Sequence, residues 1–184
     1  MKVTVAITGA SGVQYGIRLL QVLKKLNVEI HLIITTAAKE LIDIETNYSS
    51  DAITSLGTRT YDEMDFTAPI ASGSYMTDGM AIVPCSMKTL GSIANGISGN
   101  LVTRAAEVCL KEGRKLILVP RETPLTPIHL RNMMRASESG ATVLPACPPF
   151  YTRPTTIEAL IDIIVARILD RLEIKHSISS RWGD

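Results

Sequence analysis

The chain has 184 residues, 46% hydrophobic and 20% charged, which suits one folded domain with a full core and leaves little room for disorder. A net charge of +1 offers no general basic field for nucleic acid, and no apolar run approaches the roughly 18 residues of a membrane helix. Cys85, Cys109 and Cys147 lie too far apart for a disulfide framework, and His31, His129 and His176 have no metal-ligand spacing, so the expectation is a cytoplasmic protein without a metal.

Residues 3–8 form a short aliphatic, β-branched run, the first predicted strand, and Gly9-Ala10-Ser11-Gly12 is the turn after it. Residues 13–26 place Ile17, Leu20, Leu23 and Leu26 at helical spacing. A second strand is predicted over 29–36 and a short helix over 37–44. Residues 45–79 carry Gly, Ser, Thr and Asp with weak periodicity; they read as irregular structure with a short helix around 49–56. A third strand over 80–84 leads to helices over 86–95 and 100–112, closed by Gly96 and Gly113. Residues 115–120 are a strand, 127–139 a helix closed by Gly140, and 141–144 a strand. A long helix over 155–172 ends the pattern, with Thr155 or Thr156 as its cap. This alternation predicts an α/β fold: a single Rossmann-like (flavodoxin-like) domain over 1–184, its sheet mostly parallel with helices on both faces. Right-handed crossovers bring the loops at 9–12, 35–36, 84–89, 120–127 and 145–154 to one rim.

The first turn is G-x-x-G-x-x-x-G, not the G-x-G-x-x-G of dinucleotide sites, so it serves a tight turn as well as a ligand. The second strand ends in Thr35-Thr36, without the carboxylate that holds the ribose of NAD; a hydroxyl there suits a ribityl chain such as that of FMN. After the third strand, Ser86, Met87, Lys88 and Thr89 can cap a helix or cradle a phosphate with amides, hydroxyls and a cation. Cys85 reads as a small core residue. Arg121-Glu122 sits where the strand at 115–120 runs out, which is where open α/β sheets bind ligands; it is an anion fork with a carboxylate, or an ordinary ion pair. Arg104 and Lys111 share one helical face, solvated or cationic. Glu45 is a surface residue or a proton-handling carboxylate. Four prolines stiffen 145–154, from which Tyr151 and Arg153 project. Arg167, in an apolar stretch, either pairs with Asp170 or binds an anion.

Together the stretches GASGVQYGIRLL (9–20), ASGSY (71–75), PCSMKTL (84–90), LVTRAAEVCLKEGRKLILVPRETPL (101–125), PPFYTRP (148–154) and VARILDRL (165–172), with Arg181-Trp182 near the end, resemble the UbiX-type flavin prenyltransferases. The resemblance implies transfer of a dimethylallyl group from dimethylallyl monophosphate to N5 and C6 of reduced FMN, without a metal. The prenylated FMN product would serve a UbiD-type decarboxylase. It further implies FMN contacts at Gly9, Ala10, Ser11, Thr35, Ser86, Met87, Lys88, Thr89 and Arg121. The substrate phosphate would meet Lys111, Arg121, Glu122, Tyr151 and Arg167, with Arg104 nearby. Ser11 and Glu45 would handle protons near N5, and Glu122, the third catalytic residue, would order the cationic phosphate site and shuttle its proton. Trp182, in a tail at 173–184, would close the pocket. A dodecamer would complete the phosphate site from neighbouring subunits. An aromatic near the flavin is expected from Phe66 or Tyr61. The alternatives are an FMN carrier or accessory subunit of an aromatic-acid decarboxylase, and a flavin-dependent cysteine decarboxylase, whose catalytic His and Pro-Ala-Ser-Ala-Asn-Thr loop have no counterpart here.

Overall fold

The computed structural model describes residues 1–179 and 183. Six strands make one parallel sheet: β1 (Lys2–Ile7), β2 (Glu29–Ile34), β3 (Arg59–Tyr61), β4 (Gly79–Cys85), β5 (Lys115–Pro120) and β6 (Thr142–Val143). Their spatial order is β3-β2-β1-β4-β5-β6, the doubly wound arrangement expected from the alternating elements. The helices are α1 (Val13–Lys25), α2 (Thr36–Glu45), α3 (Ser50–Thr54), α4 (Met87–Ala94), α5 (Leu101–Lys111), α6 (Pro127–Glu138) and α7 (Ile157–Arg171).

The strands β1, β2, β4 and β5 are largely aliphatic because the sheet is covered there on both faces. Successive residues of β1 go to opposite cores: Val5 and Ile7 pack with Leu20 and Leu23 of α1 and Ile168 of α7, while Ala6 joins Leu90 of α4 and Val102 of α5. Each such fully buried aliphatic side chain contributes about 1.5–3 kcal/mol. Among the described residues no helix is long and apolar enough to cross a membrane.

Two boundaries depart from expectation, and a third falls on one of the two expected alternatives. β2 stops at Ile34, because the Thr35 side chain turns back to cap α2, accepting from the Ala38 N–H at 3.3 Å. The 45–79 segment holds not only α3 but also the edge strand β3, whose Arg59 and Thr60 are exposed and so carry no apolar signal. Thr156, not Thr155, caps α7. The long excursion after β3 is anchored by a buried histidine on the sheet: His31 Nδ1 lies 2.8 Å from the Tyr61 hydroxyl, and its Nε2 lies 3.0 Å from Glu29 Oε1 and 3.3 Å from the Tyr75 hydroxyl. Tyr61 is thereby committed to His31 instead of a ligand. The first part of the tail folds back along α7, with Ile174 in the core and His176 Nε2 3.1 Å from Asp170 Oδ1. Trp182, expected to close the pocket, lies outside the described residues.

Candidate functional site

The strand order reverses direction between β1 and β4. Connections leaving their carboxyl ends diverge to opposite faces, and a crevice opens there. Thr8 joins its two sides: its hydroxyl donates to the Pro84 carbonyl and accepts from the Ser86 N–H, both at 2.8 Å. The cleft above encloses about 560 Å³ and is lined by Gly9, Thr35, Ser86, Met87, Lys88, Thr89 and Glu122, together with Thr36, Glu63 and Asn100. That volume suits a ligand larger than a single phosphate. Ala10 and Ser11 continue the turn from Gly9, whereas neither Tyr61 nor Phe66 lines the cleft.

Three helices begin at this rim, and their first amides are treated differently. In α1 the turn needs glycine: Gly12 has φ +101°, and a Cβ on Gly16 would stand 2.4 Å from the Val83 carbonyl oxygen. The amides that follow are already occupied, since Glu45 Oε2 accepts from the N–H groups of Gly12 and Val13 at 2.9 and 3.3 Å. Ser11 and Glu45 are thus brought to the same turn. In α2 the incoming carboxylate is Glu63. Its Oε1 accepts from the Thr36 N–H and hydroxyl, both at 2.7 Å, and its Oε2 accepts from the Asn100 amide at 3.2 Å. Partial burial works to raise the Glu63 pKa, but the hydrogen bonds from Thr36 and Asn100 outweigh it and hold the carboxyl below its ordinary range.

α4 differs. Ser86 caps it by accepting from the Thr89 N–H at 3.2 Å and donates to the Thr89 hydroxyl at 3.0 Å. Among the described residues no carboxylate stands on the Met87 or Lys88 amide. This helix end, with the Lys88 side chain beside it, is the part of the rim built for an anion. A phosphate group on an extended ligand fits there, with Thr35 and the Gly9–Ser11 turn along its length. FMN meets that description.

A second cationic group lies next to it. Arg121 Nε donates to the Ser11 carbonyl at 3.0 Å, which lays the side chain across the glycine turn. Glu122 Oε1 accepts from the Thr123 N–H at 3.0 Å, and no ion pair joins Arg121 to Glu122 among the described residues, so the ordinary strand-end pair is not formed. The stiff 145–154 loop is tied to the same strand end, with the Ala146 N–H donating to the Pro120 carbonyl at 3.1 Å; it carries Tyr151, whose exposure is 49%.

The remaining phosphate candidates are not gathered within one chain. Arg104, one turn into α5, donates to the Ala71 carbonyl and to Glu107 Oε2, at 3.1 and 3.0 Å. Lys111 closes α5, four residues before β5 starts, and so sits toward the amino-terminal ends of the strands, away from the rim, paired with Glu112 at 2.6 Å. Arg167 lies ten residues into α7, about 15 Å along its axis. Its side chain is 65% exposed and only 3.9 Å from Asp170 Oδ2. Burial pushes the Cys85 thiol up to about 12, which suits a core residue and not a nucleophile. Among the described residues no group of three or more His, Cys, Asp or Glu could hold a metal ion. Sequence reasoning missed Thr8, Glu63 and Asn100. Glu63 lies in the segment with weak periodicity, and its partners are distant in sequence; only the carboxylate itself was visible.

Comparison with known proteins comes from three directions. The model of the Flavoprotein family matches residues 1–181. The flavin prenyltransferase UbiX of Halalkalibacterium halodurans is 51% identical over 98% of this chain and 93% of its own. A crystal structure of AnUbiX in complex with FMN and dimethylallyl pyrophosphate superposes with a TM-score of 0.98 at 44% identity, covering 100% of this chain and 97% of that one. A dodecameric FMN-dependent UbiX-like decarboxylase from Escherichia coli O157:H7 superposes with a TM-score of 0.97 at 46% identity over the full length of both chains.

Proposed function

Because the chain belongs to the Flavoprotein family, among its UbiX-type flavin prenyltransferases, we propose that it moves a dimethylallyl group from dimethylallyl monophosphate to reduced FMN. The observation that supports this reading is a pair of cationic groups at the rim, Lys88 at the open end of α4 and Arg121 laid across the glycine turn, which we read as two anion sites. A protein that merely stores or carries FMN needs the first and has no use for the second. A cysteine decarboxylase of this fold is disfavoured further, because among the described residues no histidine lines the cleft.

When bound, reduced FMN supplies N5 and C6 as the atoms that receive the dimethylallyl carbons. The chain's own groups do the rest. Ser86, Thr89, Lys88 and the Met87 amide hold the flavin phosphate, and Gly9, Ala10, Ser11 and Thr35 line the flavin. Arg121 spans both phosphates, with its fork steadied by the Ser11 carbonyl. Glu122, Tyr151, Arg104, Lys111 and Arg167 receive the phosphate of the donor, where positive charge stabilises the departing group. Ser11 and Glu45, which share one turn, pass protons.

Lys111 and Arg167 reach such a site from neighbouring subunits. Support comes from their distance from the rim within one chain, and from α6, whose Leu130 and Met134, one turn apart on the same side of the helix, are both exposed. A homododecamer is the assembly this reading takes. The remaining parts of it are one domain over 1–184, a tail at 173–184 closing over the pocket through Trp182, a cytoplasmic location, and delivery of prenylated FMN to a UbiD-type decarboxylase.

The test is anaerobic incubation of the protein with reduced FMN and dimethylallyl monophosphate, or with the pyrophosphate in parallel, followed by mass analysis of the flavin. Gain of one dimethylallyl unit is the expected result. Bound FMN of unchanged mass with both donors would leave the carrier reading standing in its place.

A further inference from the structure

Glu63 stands apart from every group used above, yet it is the most heavily engaged carboxylate at the cleft. Its side chain joins two helix starts that come from opposite faces of the sheet. On one side it takes both the N–H and the hydroxyl of Thr36, the first residue of α2. On the other it takes the amide of Asn100, the cap of α5, and its own carbonyl accepts from the Leu101 N–H at 2.7 Å. Asn100 is itself fixed: its Oδ1 accepts from the Thr103 N–H at 3.0 Å. Thr35 precedes Thr36 directly, and Lys88 lines the same cleft as Glu63 and Asn100.

We propose that Glu63 is a positioning residue of the flavin cleft, tying the starts of α2 and α5 across it so that its width, and the place of Thr35 opposite Lys88, are fixed before the ligand enters. The same carboxylate occupies the positive start of α2 and stands beside that of α5, and Glu45 occupies that of α1, which leaves α4 as the end that draws the phosphate. The low Glu63 pKa agrees, since the tie works through the ionised form. This inference rests on the flavin reading of the cleft.

The experiment exchanges the two partners. Asn100→Asp keeps the α5 cap but sets two carboxylates face to face. Glu63→Gln keeps an acceptor for Thr36 but turns an amide toward the amide of Asn100. Combining the two restores a donor–acceptor pair in reverse. FMN affinity, thermal melting and prenyl transfer are measured for all four proteins. The single variants are expected to bind FMN about tenfold to a hundredfold more weakly, the range of a lost charge-assisted hydrogen bond, and the double variant to recover most of that loss. Equal affinity in all four, or a double variant as weak as the two losses combined, overturns the proposal. If one single variant fails to fold, the other and the double still decide. FMN titration of the unaltered protein separates this outcome from the flavin reading: should that protein bind no FMN, it is the reading of the cleft that has failed.

Discussion

α1 and α4 start on the same rim, on either side of one crevice, and they look alike in sequence. Each follows a buried strand, and each opens with small and hydroxyl residues. Yet Glu45 fills the first amides of α1, whereas among the described residues nothing acidic stands on those of α4. On the proposed flavin reading, the glycine-rich turn provides close packing and a wall of the cleft, and the anion falls to the turn that has no glycine. In dinucleotide-binding folds of this strand order the assignment is the reverse. Glycines reveal where backbone must pass closely; a carboxylate from elsewhere in the chain decides whether the helix end stays available.

Four substitutions test that contrast. Gly16→Ala should have the largest effect, because its methyl group would stand 2.4 Å from the Val83 carbonyl oxygen. A cost of about 3 kcal/mol, or roughly 10 °C in melting temperature, is expected by circular dichroism; unchanged melting would mean that α1 does not need its close approach to β4. Lys88→Ala should leave melting nearly as it is and weaken FMN about tenfold to a hundredfold in a fluorescence titration. Glu45→Gln should do the opposite to binding: FMN affinity is retained while turnover drops, with about 1 kcal/mol of stability lost at the α1 cap. Tightened FMN binding in that variant would show an anion competing with Glu45 for the α1 amides and reverse the comparison. The smallest effect is expected away from both turns, at His31. Its burial, only partly offset by Glu29, holds the imidazole pKa below the ordinary value. The unfolded chain takes up a proton below about pH 6.5 that the folded chain refuses. Stability is thus fully present above that pH and is lost as the pH falls toward the folded pKa. Urea unfolding at about pH 7.5 and about pH 5.5 should register this slope, and His31→Gln should flatten it.

Much of the fold was legible because the aliphatic runs of β1, β2, β4 and β5 have one explanation, burial on both sides. β3 was not, since three residues at an edge with two exposed side chains leave no pattern. The site divides the same way. Arg121, Glu122 and the Ser86–Thr89 turn could be found because charge and hydroxyls interrupt apolar strands at their ends. Glu63 could not, because its meaning lies in Thr36 and Asn100, which stand 27 and 37 residues away. Arg167 was legible as an arginine out of place in an apolar helix, while its exposure and its distance from the rim emerged only in three dimensions.

The Thr8 hydroxyl donates to one side of the crevice and accepts from it as well. With both bonds made, the glycine turn and the Ser86 turn do not have separate degrees of freedom. A displacement of either is a displacement of both, so the floor of the cleft behaves as one rigid platform, and any adjustment to a changing ligand falls to the segments after β5 and β6. Thr8→Val would keep the shape of threonine and remove both hydroxyl bonds, leaving the residue-8 N–H to Pro84 carbonyl bond, at 3.3 Å, as the link between the two turns at this position.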